Sequence, residues 1–185
     1  MEKSEVQNPE QVAERIPTVY MMQGLPGSGK SSWARNKMAR NPKTLVVCRD
    51  DLRRMVRGGE YVFDPDLEPV IVEMDTAILR ICLRYGFDVI MDETNISRNR
   101  RRDVLGSIEY SIKCEKELDA VRTVCVVMDG GGKNLDNRMA DGRGYSRDHW
   151  AGVIEKLRGV SEPVGDDEGF DLIVRPSSPE EFLDA

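Results

Sequence analysis

Five short, mostly apolar runs alternate with longer segments of mixed polarity along this chain of 185 residues. Each run is bounded by polar or glycine-containing residues, which is typical of strands buried in a sheet. The runs comprise residues 18–22, 44–48, 88–91, 123–128 and 171–174.

The segments between the runs have helical periodicity. Val70, Met74 and Ile78 recur at four-residue spacing and predict a long amphipathic helix over about residues 66–85, ended by Gly86. Gly106 could interrupt another predicted helix. The other predicted helices cover about residues 31–40, a short stretch from 49, 98–118, 135–140 and 146–160, and a capped terminal helix is predicted at 178–181.

Strands that alternate with helices predict an α/β fold, a parallel sheet of four to five strands with helices on both faces. We expect a polar tail over residues 1–16 and a single domain over residues 17–185. In such sheets ligands bind beyond the carboxyl ends of the strands. Candidate chemistry is therefore sought where each apolar run ends.

The first run ends in Gly-Leu-Pro-Gly-Ser-Gly-Lys-Ser, residues 24–31, which matches the P-loop pattern G-x-x-x-x-G-K-[ST]. Its glycines permit a tight turn whose N–H groups, with the next helix N-terminus, bind phosphate oxygens. We expect ATP and Mg²⁺, with Lys30 on the outer phosphates and Ser31 on the metal. The predicted nucleotide-binding residues are Gly24, Leu25, Pro26, Gly27, Ser28, Gly29, Lys30, Ser31 and Ser32.

Two further runs also end in charged residues. Arg49, Asp50 and Asp51 follow the second run, and residues 92–95, Asp-Glu-Thr-Asn, follow the third. A kinase that acts on an alcohol needs a carboxylate to accept the hydroxyl proton, although helix capping would explain one aspartate. Asp92 or Glu93 fits a carboxylate beside Mg²⁺.

These motifs resemble those of the phage polynucleotide kinase family, in its 5′-kinase domain. Residues 24–35 are similar to that family's G-x-P-G-S-G-K-S-T-W-A-R run, and residues 48–53, Cys-Arg-Asp-Asp-Leu-Arg, to its N-R-D-D-x-R. Residues 92–95 are similar to its D-T-N, and residues 100–102 to its Arg-Arg motif. The resemblance spans about residues 18–157 and loosens after Leu118.

The resemblance implies ATP-dependent transfer of the γ-phosphate to a hydroxyl of a nucleic acid. Asp50 would be the general base, and a lid over about residues 132–147 would supply a transition-state arginine, Arg138 or Arg143. The family's aspartate directly precedes Thr-Asn, where this chain has Glu93, so both carboxylates remain metal candidates. The implied acceptor-binding residues are Arg49, Arg53, which would hold the acceptor's neighbouring phosphate, Thr94 and Asn95.

Several acceptors fit these residues. The resemblance favours the 5′-OH end of DNA or RNA. A hydroxymethyl group on a modified base in phage DNA, such as 5-hydroxymethyluracil, is the first alternative, and a nucleoside or sugar-nucleotide is another. From another class, a P-loop ATPase or switch module remains an alternative.

Charge and composition narrow the function classes. The formal net charge of −6 disfavours a broad, non-specific surface for nucleic acid but permits a local basic channel. The four cysteines form no C-x-x-C pair and are expected to be reduced. No run is long enough to span a membrane, so we expect a soluble, cytoplasmic protein with no membrane partner; the sequence predicts no oligomeric state.

Some polar and aromatic residues have alternative interpretations. Arg98 and residues 100–102 could simply be a solvated helix start. Trp33 is predicted to lie in the core and His149 to be a surface or helix-packing residue. The aromatic residues of the glycine-flanked segment 58–65 could stack on an acceptor base or pack onto the long helix.

Overall fold

The computed structural model describes residues 15–116, 118–140 and 145–184. Strands and helices alternate within this part of the chain. The strands are β1 (Thr18–Gln23), β2 (Thr44–Val47), β3 (Asp88–Met91), β4 (Arg122–Val127) and β5 (Leu172–Val174). The α-helices are α1 (Lys30–Arg40), α2 (Arg49–Val56), α3 (Glu68–Arg84), α4 (Arg98–Cys114), α5 (Asn134–Ala140) and α6 (Arg147–Gly159).

The five strands form one parallel sheet in the order β2-β3-β1-β4-β5. In the register, Val19 of β1 lies opposite Val89 of β3 on one side and Thr123 of β4 on the other. The strands that end in the P-loop and in residues 92–95 are therefore neighbours. The predicted α/β fold is confirmed.

The central strand β1 separates two halves of the core. Val19 and Met21 pack in a cluster with α3 and α4, and Tyr20 and Met22 pack in a second cluster with Trp33 of α1. Successive side chains of a strand point to opposite faces, so both faces of the sheet are covered. Trp33 is fully buried, as predicted.

Helix α4 does not break at Gly106. It runs continuously through this residue, and the Ser97 hydroxyl accepts a hydrogen bond from the Arg100 N–H at its start. A single glycine weakens a helix by only about 1 kcal/mol, which tertiary packing offsets here through buried Val104 and Ile108.

The predicted terminal helix is wrong. Residues 177–184 form turns that lie against α1. Trp33 Nε1 donates to the Glu181 carbonyl and Lys37 Nζ to the Leu183 carbonyl. These carbonyls accept from α1 side chains, and a capping motif alone is too short to impose a helix against such contacts.

Most of the predicted polar tail, residues 1–14, lies outside the described residues; Arg15 pairs with buried Asp88 at the start of β3. Among the helices that the structure describes, none has the length and apolar character needed to cross a bilayer.

Candidate functional site

The P-loop connects β1 to α1 through three glycines with left-handed backbone angles. Gly29 has φ of 98° and directly precedes the first residue of α1. The Gly24 N–H donates to the Thr94 carbonyl, 2.9 Å away, which ties the loop to the end of β3. The loop is therefore fixed at both ends, as a phosphate cradle requires.

Two of these glycines are also required by close backbone contacts. A Cβ on Gly24 would overlap the Met128 carbonyl oxygen, and a Cβ on Gly27 would overlap the Asn134 carbonyl oxygen at the start of α5. Any side chain at either position would displace the neighbouring backbone. The P-loop glycines thus also permit α5 to lie directly on the loop.

Lys30 lies within the loop with only 8% of its surface exposed. Its Nζ donates to the carbonyls of Gly24 and Leu25, each at 2.9 Å, and approaches Ser28 Oγ at 3.5 Å. Burial lowers the pKa of Lys30 to about 8, although the nearby Asp92 carboxylate opposes this shift. An incoming phosphate would supply the anion that this desolvated ammonium lacks.

A cavity of about 510 Å³ opens beside the P-loop. Gly24, Leu25 and Ser28 do not line the cavity. Instead, their oxygen atoms accept hydrogen bonds from Lys30 Nζ. The predicted site residues that line the cavity are Pro26, Gly27, Gly29, Lys30, Ser31, Ser32, Arg49, Asp50, Arg53, Asp92, Thr94 and Arg138.

Both predicted oxygen ligands for a hard cation, Ser31 and Asp92, line this cavity. Within the described residues, no group of three His, Cys, Asp or Glu side chains could hold a metal ion by itself. Mg²⁺ is commonly bound through one or two protein oxygens plus substrate phosphates. The residues therefore fit a Mg²⁺ ion that arrives with a nucleotide.

Glu93 also lines the cavity, but its carboxylate is already paired with two arginines. Its Oε1 lies 2.8 Å from Arg49 Nε, and its Oε2 lies 3.2 Å from Arg100 Nη2. Burial raises the pKa of Glu93, and both arginines oppose the shift. Because these arginines already neutralise Glu93, Asp92 is the better-placed candidate for the metal.

The adjacent aspartates of α2 differ in environment. Asp50 lines the cavity and accepts a hydrogen bond of 2.7 Å from Arg53 Nη1. Asp51 is 71% exposed in its side chain and pairs with Arg54. Neither aspartate caps the helix, because Cys48 is the N-cap residue and no side chain bonds there.

Arg53 lines the cavity with its guanidinium already engaged. Its Nε and Nη2 donate to the two carboxylate oxygens of Glu68 at 2.8 and 2.7 Å, and Nη1 donates to Asp50. The hydrogen bonds to Glu68 raise the pKa of Arg53 and lower that of Glu68. An acceptor phosphate that binds this edge of the guanidinium would either displace Glu68 or share the Arg53 N–H donors with it.

Arg49 also reaches the cavity but is mainly structural. Its Nε and Nη2 lie 3.0 and 2.9 Å from Asp75 Oδ2, and Nε also contacts Glu93. Asp75 is 2% exposed, and burial raises its pKa against the opposing charge of Arg49. Arg49 thus compensates two buried carboxylates instead of presenting a free cation to an acceptor.

Asn95, an implied acceptor-binding residue, does not line the cavity. It is 1% exposed with φ of 41°, and its Nδ2 donates to the Met22 carbonyl. The neighbouring Thr94 lines the cavity and binds Gly24 through its carbonyl. The pair therefore holds β1 and the P-loop together, and only Thr94 can also touch a ligand there.

The arginines at the start of α4 have separate roles. Arg101 is completely buried and makes a two-point pair with Glu168 at 2.6 and 2.7 Å, besides donating to the Asn95 and Pro163 carbonyls. The solvated helix start proposed above is thus wrong for Arg101. It braces the end of β3 against residues 162–168.

Helix α5 lies within the predicted lid and contacts the P-loop. Asn137 Nδ2 donates to the Gly27 carbonyl at 2.9 Å. The Arg138 guanidinium lies 4.0 Å from the ring centroid of Trp150 in α6, and both residues line the cavity. Arg143, the other lid candidate, lies outside the described residues.

Several lining residues had no signal in the sequence. Trp150 of α6 and Pro179 of the terminal turns reach the cavity only through tertiary packing. Asn137 and the aromatic Tyr61 lie in segments that the sequence did single out, the lid and the glycine-flanked loop.

Cys48 also lines the cavity, where burial raises the pKa of its thiol to about 12 and disfavours a thiolate nucleophile.

The chain belongs to a family described as "AAA domain", whose model matches residues 19–126. This match covers β1 to β4, including the P-loop and both charged strand ends. With the observed sheet, it identifies the fold as that of P-loop kinases.

Solved structures with this fold include polynucleotide and small-molecule kinases. The chain is 21% identical to a chain of the Pnkp1/Rnl/Hen1 RNA repair complex (TM-score 0.61; 85% of this chain and 48% of that one). It is 12% identical to a fungal RNA kinase (0.63; 87% and 38%) and 20% identical to the Mycobacterium tuberculosis APS kinase CysC, solved with AMPPNP and APS (0.58; 92% and 94%). The chain thus spans about half the length, or less, of the RNA repair complex chain and of the fungal RNA kinase.

Proposed function

We propose that this protein is an ATP-dependent kinase that transfers the γ-phosphate to a hydroxyl of a polynucleotide, with the 5′-OH end of DNA or RNA as the first candidate. In this reaction the acceptor oxygen bonds to the γ-phosphorus as the bond to the β,γ-bridging oxygen breaks. The hydroxyl proton passes to Asp50, and ADP leaves.

One observation carries the proposal: Lys30, Asp50 and Arg138 line the same cavity. A phosphate-binding cation, a carboxylate able to accept a proton and a lid arginine are the parts that transfer to an alcohol needs. A hydrolase would need a positioned water in place of the acceptor hydroxyl.

The remaining residues support binding and charge neutralisation. The P-loop N–H groups and Lys30 would hold the ATP phosphates, and Ser31 and Asp92 would hold Mg²⁺, which supplies further charge neutralisation when bound. Arg53 would contact the acceptor phosphate once Glu68 releases one of the two Arg53 N–H groups that it now accepts from. The likeness to a chain of an RNA repair complex and to a fungal RNA kinase supports a polynucleotide acceptor.

A small hydroxyl compound is a second candidate acceptor. Residues 49–68, which border the acceptor side of the cavity, contain four arginines against six carboxylates. That balance does not attract a polyanion, whereas a small acceptor needs only one or two arginines. The match to APS kinase over nearly the whole of both chains is consistent with this candidate.

The test offers γ-labelled ATP and Mg²⁺ with a panel of acceptors. The panel contains 5′-OH DNA and RNA oligonucleotides, duplex DNA with 5-hydroxymethyluracil, nucleosides and sugar-nucleotides. We expect label on a 5′-OH oligonucleotide, and loss of that label in Asp50→Asn. Label only on a small compound would support the second candidate, and steady ATP hydrolysis without a labelled acceptor would contradict both.

A further inference from the structure

The lid arginine lies against an aromatic ring of a different helix. The Arg138 guanidinium carbon is 4.0 Å from the Trp150 ring centroid, well within the distance for a cation–π interaction. Trp150 is 7% exposed, so the contact is largely desolvated. Cation–π attraction strengthens when water is excluded.

Other aromatic residues fix the Trp150 ring. Tyr145 and His149 each meet it edge-on, with centroids 5.7 and 5.5 Å away, and they stack on one another at 4.4 Å. The Ser146 hydroxyl accepts from the His149 N–H and caps α6. The indole is thus held by an ordered helix start before any ligand binds.

Helix α5, which bears Arg138, has a less constrained attachment. It follows Gly130, Gly131 and Gly132, all with positive φ, and has only seven residues. A glycine run resists rotation little, so contacts to its neighbours determine the position of α5. These contacts include the amide bonds to the P-loop, the close backbone approach of Asn134 to Gly27, an Arg147–Asp136 ion pair and the contact between Arg138 and Trp150.

Arg138 also shares the cavity with another cation. The positive charge of Arg138 contributes to the lowered pKa of Lys30, which indicates that the two lie close enough to repel. An electron-rich ring face beside one cation offsets part of this repulsion until phosphate arrives.

We propose that Trp150 is a positioning residue for Arg138: its indole face holds the guanidinium at the cavity wall, oriented toward the site of the γ-phosphate. This inference rests on the proposed function, because it assigns Trp150 a part in the same transfer. Trp150 contributes to turnover only through Arg138.

The kinetic test replaces the ring with an apolar and with an aromatic side chain. Trp150→Leu should lower kcat about tenfold and change the KM for ATP by less than about threefold. Trp150→Phe keeps a ring face and should restore kcat to within about threefold of the parent. Thermal unfolding of each variant separates a loss of fold from a loss of positioning.

A double-mutant cycle decides whether Trp150 acts through Arg138. Arg138→Ala should lower kcat about 10³-fold, and adding Trp150→Leu should then cost less than about twofold. If Trp150→Leu costs the same tenfold in both backgrounds, Trp150 acts independently and the inference fails.

A binding experiment needs no acceptor. The chain has two tryptophans, so in a Trp33→Phe background a change in tryptophan emission on binding a non-hydrolysable ATP analogue comes from Trp150. We expect this change in the parent and its absence in Arg138→Ala; equal responses in both would overturn the inference. An Arg138-dependent change with no labelled acceptor would contradict the proposed kinase while supporting the role of Trp150.

Discussion

The P-loop and the arginine-bearing start of α2 border the same cavity but are built differently. The P-loop is held by its own glycines and by backbone contacts such as Gly24 to Thr94. In α2, Arg49 and Arg53 are held by Asp75 and Glu68, carboxylates 26 and 15 residues further along the chain.

This difference separates two kinds of functional site. A backbone site is encoded by local residue types, because glycine angles and a helix N-terminus follow from a short sequence. A side-chain site depends on which opposite charges fold against it, because an arginine can serve a ligand or a buried carboxylate. Adjacent residues of one motif can therefore differ in role.

The largest effect should come from the P-loop. Lys30→Ala should bring transfer below detection, because it removes the cation that neutralises the outer phosphates. The melting temperature should change little, since the side chain is a desolvated charge held only by loop oxygens. Measurable transfer by a folded Lys30→Ala protein would contradict the P-loop assignment.

The next effect tests the carboxylate at the start of α2. Asp50→Asn should lower kcat by about 10²–10⁴-fold, the usual contribution of a general base, and leave nucleotide affinity unchanged. Asp51→Ala is the matched control: this exposed first-turn aspartate should cost under about 1 kcal/mol of stability and little activity. An inactive Asp51→Ala with an active Asp50→Asn would reverse the assignment.

Substitutions of Arg49 and Arg53 in α2 should have different effects, the first on stability and the second on acceptor binding. Arg49→Ala should lower the free energy of unfolding by about 3 kcal/mol, because Asp75 and Glu93 would lose a buried partner. Arg53→Ala should mainly raise the KM of the acceptor, by about tenfold, since a charge-assisted phosphate contact is worth that much. Denaturant unfolding and initial rates measure the two quantities.

The salt dependence of acceptor binding should further distinguish Arg53 from Arg49. If Arg53 contacts an acceptor phosphate, the salt slope of acceptor binding should fall by about one in Arg53→Ala and stay unchanged in folded Arg49→Ala. An unchanged slope in Arg53→Ala would leave Arg53 as a partner of Asp50 and Glu68 only.

Nucleotide binding should also depend on pH. Lys30 has a pKa of about 8 in the nucleotide-free protein, and bound phosphate should raise it. Above pH 8, binding then requires proton uptake, so affinity should fall by up to about tenfold per pH unit, and it should be level below pH 8. Calorimetric titration from pH 7 to 10 would measure this, and Lys30→Met should remove the dependence.

The sequence by itself determined the strand and helix order, because buried runs and helical periodicity extend over many residues. It also located the P-loop, since residues 24–31 contain all the backbone freedom that the turn needs. It failed at residues 178–181, where contacts with α1 replace a helix.

Only the tertiary structure decided which polar and charged residues are available to a ligand in the cavity. Glu93 and Asn95 have the residue types of a ligand site, yet one is neutralised by two arginines and the other is bonded to β1. Trp150 reaches the cavity through the packing of α6 against α5. Such partners are distant in the chain, and because burial makes an unpaired charge costly, the folded core determines which charges stay available for a substrate.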